Sequence, residues 1–202
     1  TALEQSNSDD VPDNYLDDFP FIEHPENIAL ALKVCISIGI NKDTALRGML
    51  KTQPDPGSLF IWDLKYNKNR CKFISGFAAN DPSSTHMVWN LVNDRLSSGK
   101  SCIFLNTRSD RQYRTIQLLS LIYDQIIPDK LIIRGDKLDS LIKKYDFESK
   151  NIDVIRFSDN SKSESVIDFI GGLEKYLVIG VGNIVGWGDS FVQEIKRYRV
   201  NG

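Results

Sequence analysis

From residue 70 onward, short β-rich runs alternate with amphipathic stretches of ten or more residues, and this rhythm constrains the fold more than any other feature. It predicts strands over 70–75, 101–106, 130–134, 152–157 and 176–181, with helices over 82–97, 110–126, 136–146, 163–173 and 188–198. Successive parallel strands need a long crossover, and right-handed crossovers lay helices on both faces of the sheet. The expected fold class is therefore α/β, a three-layer and mostly parallel Rossmann-like sheet. The absence of a short fixed repeat argues against a solenoid.

Ahead of this block the pattern differs. Residues 1–22 carry Asp9, Asp10, Asp13, Asp17 and Asp18 with few apolar residues, and are expected to form a loose acidic leader or linker. From Pro25 the spacing of Ile28, Leu32, Cys35 and Ile36 places them on one helix face. Gly39 should end that helix, and a second one follows over 42–50. Gln53-Pro54-Asp55-Pro56-Gly57 is a stiff, turn-rich connector and the best internal boundary. Beyond it, β-rich runs at 58–64 and 70–75 flank Asn67-Lys68-Asn69, which reads as a hairpin. Three segments result: an acidic leader at 1–22, a short helical segment at 23–56 and an α/β domain at 57–202. The chain opens at Thr1 without a methionine, which suggests a processed or truncated product.

Composition narrows the chemistry. Lys and Arg number 25 against 27 Asp and Glu, so bulk charge favours neither nucleic acid nor an anionic membrane, and any anion site must be local. Cys35, Cys71 and Cys102 sit in apolar runs at irregular spacing, as buried thiols do in a reducing compartment. With His24 and His86 the only histidines, a zinc site or a Ser-His-Asp triad has little to draw on, and no metal ligands are expected. No apolar run approaches the roughly 20 residues of a membrane helix, and no signal peptide opens the chain.

Three polar segments fall at predicted carboxyl ends of strands, where open α/β sheets gather ligand-binding groups. In Ser75-Gly-Phe-Ala-Ala-Asn80-Asp81-Pro82, Asp81 suits a helix cap and Pro82 the first helical position. In Asn106-Thr-Arg108-Ser-Asp110-Arg111-Gln-Tyr-Arg114, Asp110 suits the cap of the next helix, with Arg111 and Arg114 in its first turn. Cations there oppose the helix dipole, a mismatch that a carboxylate or phosphate would relieve, or that Asp110 would relieve internally. The loop Gly180-Val-Gly182-Asn183-Ile-Val-Gly186-Trp-Gly188 lacks the second strand and acidic residue of a dinucleotide fingerprint. Its glycines either let backbone approach a ligand or neighbouring domain, or permit a tight turn. The other aromatics read as packing, while Trp187, between two glycines at this edge, either packs or stacks on a base.

The strings FAANDPSST, LNTRSDRQYRT and GVGNIVG, in this order and spacing, resemble the carboxyl-terminal half of poly-γ-glutamate synthases of the CapB/PgsB type. That family comprises ATP-dependent amide ligases of capsule biosynthesis, related to Mur ligases and folylpolyglutamate synthases, and the resemblance runs from about His24 to Val200. It implies a Mur-ligase carboxyl-terminal domain, with residues 23–56 as the helical tail of a central ATPase domain. It further implies polymerisation of glutamate through an acyl phosphate, with ATP and Mg2+ as cofactors. Implied partners are glutamate, the growing poly-γ-glutamate and membrane-protein subunits of a capsule synthase, with no nucleic acid. The implied location is cytoplasmic, at the inner face of the membrane through those subunits.

One departure is large. Mur-type ligases grip the triphosphate with a glycine-rich loop ending Gly-Lys-Thr/Ser, whereas Gly99-Lys100-Ser101 precedes a strand here. The resemblance therefore implies that the triphosphate-binding half and the catalytic residues lie outside this chain. Mur ligases hold the incoming carboxylate with an Arg in an Asp-Asn-Pro-Arg loop, which matches Arg108 or Arg111, flanked by Asn106 and Asp110. Their Asp-Tyr-Ala-His-Asn-Pro strand end matches Ala79-Asn80-Asp81-Pro82, making Asn80 and Asp81 nucleotide-contact candidates. Asn27, in Asn-Ile-Ala-Leu-Ala, matches a purine contact or else a helix cap. Gly180, Gly182, Asn183 and Gly186 complete the candidates. The rival class is a non-catalytic α/β module that binds an anion or nucleotide.

Overall fold

The computed structural model describes residues 5–19, 21, 23–52, 59–96 and 99–200, so the connector 53–57 lies outside the described residues. The chain forms two compact units, Thr1–Phe60 and Ile61–Gly202.

In the first unit, α1 (Pro25–Ser37) and α2 (Lys42–Met49) are separated by Gly39, which takes φ 86°. Asn41 caps α2, its side chain accepting from Asp43 N at 2.9 Å. Residues 15–19 and 21 are not the loose leader expected from their acidity. Tyr15, Phe19 and Phe21 join Ile28, Leu32, Ala45 and Leu46 in a buried cluster. The Tyr15 hydroxyl also donates to Leu46 O at 2.6 Å. Three aromatics outweigh the aspartates, which stay at the surface. Ile36 is also corrected: it is 48% exposed. Each four-residue step drifts roughly 40° around a helix, so Ile36 has rotated away from the face of Ile28.

The second unit is a six-stranded sheet in the order β1-β2-β6-β3-β4-β5. Its strands are β1 (Phe60–Tyr66), β2 (Asn69–Ser75), β3 (Lys100–Asn106), β4 (Lys130–Gly135), β5 (Asp153–Ser158) and β6 (Tyr176–Gly182). The five strands expected to be parallel are so: β2 pairs with β6, β6 with β3, β3 with β4 and β4 with β5. The first two strands form the hairpin, turning through Asn67 at φ 54°. Because Lys100 and Ser101 open β3, the Gly-Lys-Ser string leads into a strand and not into a helix.

The crossovers are α3 (Pro82–Leu96), α4 (Gln112–Leu121), α5 (Leu138–Ile142), α6 (Ser163–Gly171) and α7 (Trp187–Ile195). The helix expected over 110–126 is composite. A 3-10 turn, Ser109–Arg111, precedes α4, and a π turn, Ile122–Ile126, follows it before Ile127 breaks the path at φ 48°. The α5 helix is shorter than expected and is entered from Lys137 at φ 50°. Among the described residues no helix is long and apolar enough to cross a membrane.

The third strand is buried along Cys102–Leu105, as a central parallel strand must be when helices cover both faces. Burial pushes the Cys71 thiol up to about 11 and raises Cys102 further, so neither carries reactive thiolate at neutral pH. Phe191 of α7 joins the sheet to the carboxyl edge, with its ring 4.8 Å from Phe104, 5.8 Å from Phe73 and stacked on Trp187 at 5.2 Å. Gly180 makes room for this cluster, since a Cβ there would lie 2.7 Å from Phe77 Cζ. Phe191→Ala is expected to destabilise the chain by about 3–5 kcal/mol, read from urea unfolding midpoints.

Candidate functional site

Strand register brings the three sequence segments to one edge. Asn106, the last residue of β3, pairs with Arg134 on one side and with Gly182 on the other, while Ser75 pairs with Gly180. Beyond the ladder, Gly76 N donates to Gly180 O at 2.8 Å and Asn183 N to Asn106 O at 2.8 Å. The close approach explains two glycines. Gly182 takes φ 94°, and a Cβ there would lie 2.4 Å from Asn106 O; at Gly188 a Cβ would meet Asn183 O at 2.6 Å. Gly186, at φ 76°, has nothing near it and serves the turn alone.

A cavity of about 110 Å3 opens between these loops and the start of α4. Its wall includes Asn80, Asn106, Arg108, Arg111, Gly182 and Asn183 among the residues expected at a site. Arg114, Thr115 and Leu118 join Arg111 there, at spacings that share one helix face. Asn27 belongs to the first unit, where its amide donates to Glu23 Oε1 at 2.9 Å. Asn27 is not a helix cap, because His24 occupies that position.

The arginines are not equivalent. Arg108 forks onto Asp110 through Nε at 2.9 Å and Nη2 at 2.7 Å, and this bond holds the Asp110 carboxyl below its usual range. Asp110 therefore does not cap α4. It lies in the preceding 3-10 turn, and Arg111 takes the cap position without a side-chain bond. Arg111 and Arg114 have no carboxylate within ion-pair distance among the described residues. Arg111 and Arg114, reached only by the longer-range charges of Asp110 and Asp81, give the cavity local positive charge at a helix start without a side-chain cap, in a chain of net charge −2.

Asp81 does cap α3, accepting from Ser84 N at 3.0 Å and Ser84 Oγ at 2.7 Å. The Ser84 hydroxyl, then its backbone N–H, hold the carboxyl low, with a smaller contribution from Arg114. Neighbouring Asn80 lines the cavity, and its side chain makes no hydrogen bond among the described residues. Trp187 is packed, donating from Nε1 to Ser161 O at 2.9 Å while stacking on Phe191. Among the described residues no group of three His, Cys, Asp or Glu could hold a metal ion.

Sequence reasoning missed Arg134. It is 6% exposed, donates from Nη1 to Asn106 Oδ1 at 3.2 Å and from Nη2 to Asp159 O, and lies 4.0 Å from the Trp187 ring. Burial lowers its pKa. The available signal was an arginine closing the otherwise apolar run Leu-Ile-Ile-Arg-Gly.

Residues 61–198 match the family described as poly-gamma-glutamate synthase CapB C-terminal domain. The chain is 31% identical over 192 residues to PGA synthase CapB of Bacillus subtilis, covering 94% of this chain and 49% of that protein. It is 31% identical over 195 residues to the capsule biosynthesis protein CapB of Bacillus anthracis, covering 94% and 41% respectively. The chain thus spans about half the length or less of these relatives, matching their C-terminal part. Its fold is similar to the crystal structure of MurF from Acinetobacter baumannii, with TM-score 0.61 and 11% identity over 89% of this chain and 39% of that one.

The Asp81 cap generates a pH prediction. Because its carboxyl is held low in the folded chain, its contribution is present above the unfolded value and fades as pH falls through the folded one. Asp81→Ala should cost about 1 kcal/mol at neutral pH in urea unfolding. The gap to the unsubstituted chain should narrow as pH drops below 3.8.

Proposed function

The chain belongs to the poly-γ-glutamate synthase CapB C-terminal domain family, and from this we propose that it is the acceptor-binding part of an ATP-dependent ligase joining glutamates by γ-amide bonds. The observation that carries this reading is the cavity at the sheet's carboxyl edge, where Arg111 and Arg114 form no ion pair among the described residues. ATP, with Mg2+, supplies the phosphoryl group that makes the γ-carboxyl of one glutamate a good acyl donor. The amine of the second glutamate then attacks the acyl carbon, loses its proton, and phosphate leaves. Such chemistry asks for positioning and charge neutralisation more than for a nucleophilic side chain.

Within this division of labour, Arg111 receives the acceptor's carboxylate. Arg108 is committed to Asp110, while Arg111 sits at the uncapped helix start with its guanidinium unpaired. Asn80 is the nucleotide-contact candidate whose side chain makes no hydrogen bond among the described residues, whereas Asp81 is engaged by Ser84 and Asn27 by Glu23. The helical unit that contains α1 and α2 is read as the tail of the ATP-binding domain, with residues 1–22 as the segment leading to it. The remainder of the longer relatives would hold most of the ATP and Mg2+ contacts. Growing poly-γ-glutamate and membrane-protein subunits are the proposed partners, placing the domain at the cytoplasmic face of the membrane.

Two measurements test this. In the full-length protein, Arg111→Lys keeps the charge but loses the fork, and should weaken apparent glutamate affinity by about 1.5–3 kcal/mol with less effect at Arg108→Lys. Unchanged glutamate kinetics at both positions would make these arginines structural and favour a non-catalytic module. The 202-residue chain by itself should show no glutamate-dependent ATP hydrolysis. Robust turnover by it would overturn the assignment of triphosphate binding to the other half.

A further inference from the structure

Behind the cavity wall stands Arg134, a buried charge that lines no part of the cavity. No carboxylate lies within ion-pair distance of it among the described residues, and its Nε has no hydrogen-bond partner there. Taking a guanidinium out of water is costly unless it is fully paired, so its retention at this spot calls for a physical account.

Its hydrogen bonds supply one. A guanidinium only donates, so its Nη1 bond at 3.2 Å fixes Asn106 Oδ1 as the acceptor. That leaves Asn106 Nδ2 to donate to Asn183 O at 2.6 Å. A flipped Asn106 amide would set N–H against N–H on one side and oxygen against oxygen on the other. Asn183 N–H returns to Asn106 O at 2.8 Å, and Asn183 Nδ2 then holds Val185 O at 2.8 Å. On its other side, the Arg134 carbonyl accepts from Thr107 N and Thr107 Oγ1, both at 2.9 Å. Asn106, Thr107, Asn183 and Val185 all line the cavity. The buried side chain thereby orients Asn106 and through it Asn183, at the ends of β3 and β6, while its backbone carbonyl holds Thr107.

Resting on the cavity's reading as the acceptor-glutamate site, we propose that Arg134 is a positioning residue for it. It acts through Asn106 to hold the Asn183 loop in the geometry that receives the acceptor, and it keeps a positive charge behind that wall. It touches no ligand.

The test is made in the full-length protein by glutamate-dependent ATP turnover. Arg134→Lys keeps the charge without the fork, and Asn106→Asp keeps the acceptor facing Arg134 while removing the donor to Asn183. Each should raise the KM for glutamate by about tenfold or more, the scale of a small misplacement of binding groups. The KM for ATP should stay unchanged, and the double variant should be no worse than the more affected single one. Equal losses for glutamate and ATP, additive effects, or unchanged kinetics in Asn106→Asp would overturn the relay. Asn106→Asp decides the matter by itself if Arg134→Lys does not fold. Arg111→Ala separates the two readings. A raised glutamate KM there with Arg134→Lys unchanged sinks only the positioning role. The reverse pattern sinks Arg111 as the carboxylate site and leaves the positioning role standing.

Discussion

The close approach of β3 and β6 at Asn106 and Gly182 is the constraint on which the rest of this edge depends. With a Cβ at Gly182 only 2.4 Å from Asn106 O, no other residue fits without moving backbone. That contact sets the depth at which the Gly180–Gly188 loop leaves the sheet. It also sets the reach of the Asn183 bonds and the place of Trp187 against Phe191. The aromatic cluster and the cavity wall are thus two sides of one packing decision. Phe104 serves both, since it neighbours Phe191 in the core and lies two residues before Asn106 at the edge.

Charge around the cavity is divided by partner. Arg108 and Asp110 satisfy each other, a solvent-accessible pair of small energetic weight. Arg111 and Arg114 have no ion pair among the described residues at the start of α4, where the helix dipole adds to their repulsion of cations. At depth, Arg134 is held by an amide oxygen, the Asp159 carbonyl and an indole face, with no ion pair among the described residues, and the nearby Asp159 charge only partly offsets its burial. Arg111, Arg114 and Arg134 leave this edge positive in a chain whose formal net charge is −2. The asymmetry suits an anionic ligand reaching the sheet's carboxyl end.

Much of the fold was readable because periodicity reports burial directly. The parallel strands follow from continuous apolar runs separated by helix-length crossovers, since such runs are stable only when both sheet faces are covered. Asp81-Pro82 was readable for the same local reason, because a cap is decided by neighbours three residues apart. Where composition competed with a few large side chains, expectation failed. Tyr15, Phe19 and Phe21 pack despite five nearby aspartates, because acids at a surface do not oppose burial of the residues between them.

The sequence by itself determined the order of strands and helices, the Asp81 cap and where the glycine-rich loop lies, since these depend on contacts within a few positions. Only the tertiary structure decided that Arg108 turns onto Asp110 while Arg111 stays unpaired, because side-chain pairing depends on rotamer and loop path. It also decided that Arg134 reaches Asn106, a residue 28 positions away. Strand order did this: β3 lies between β4 and β6, so three distant segments meet at one edge, and no spacing along the chain encodes that order.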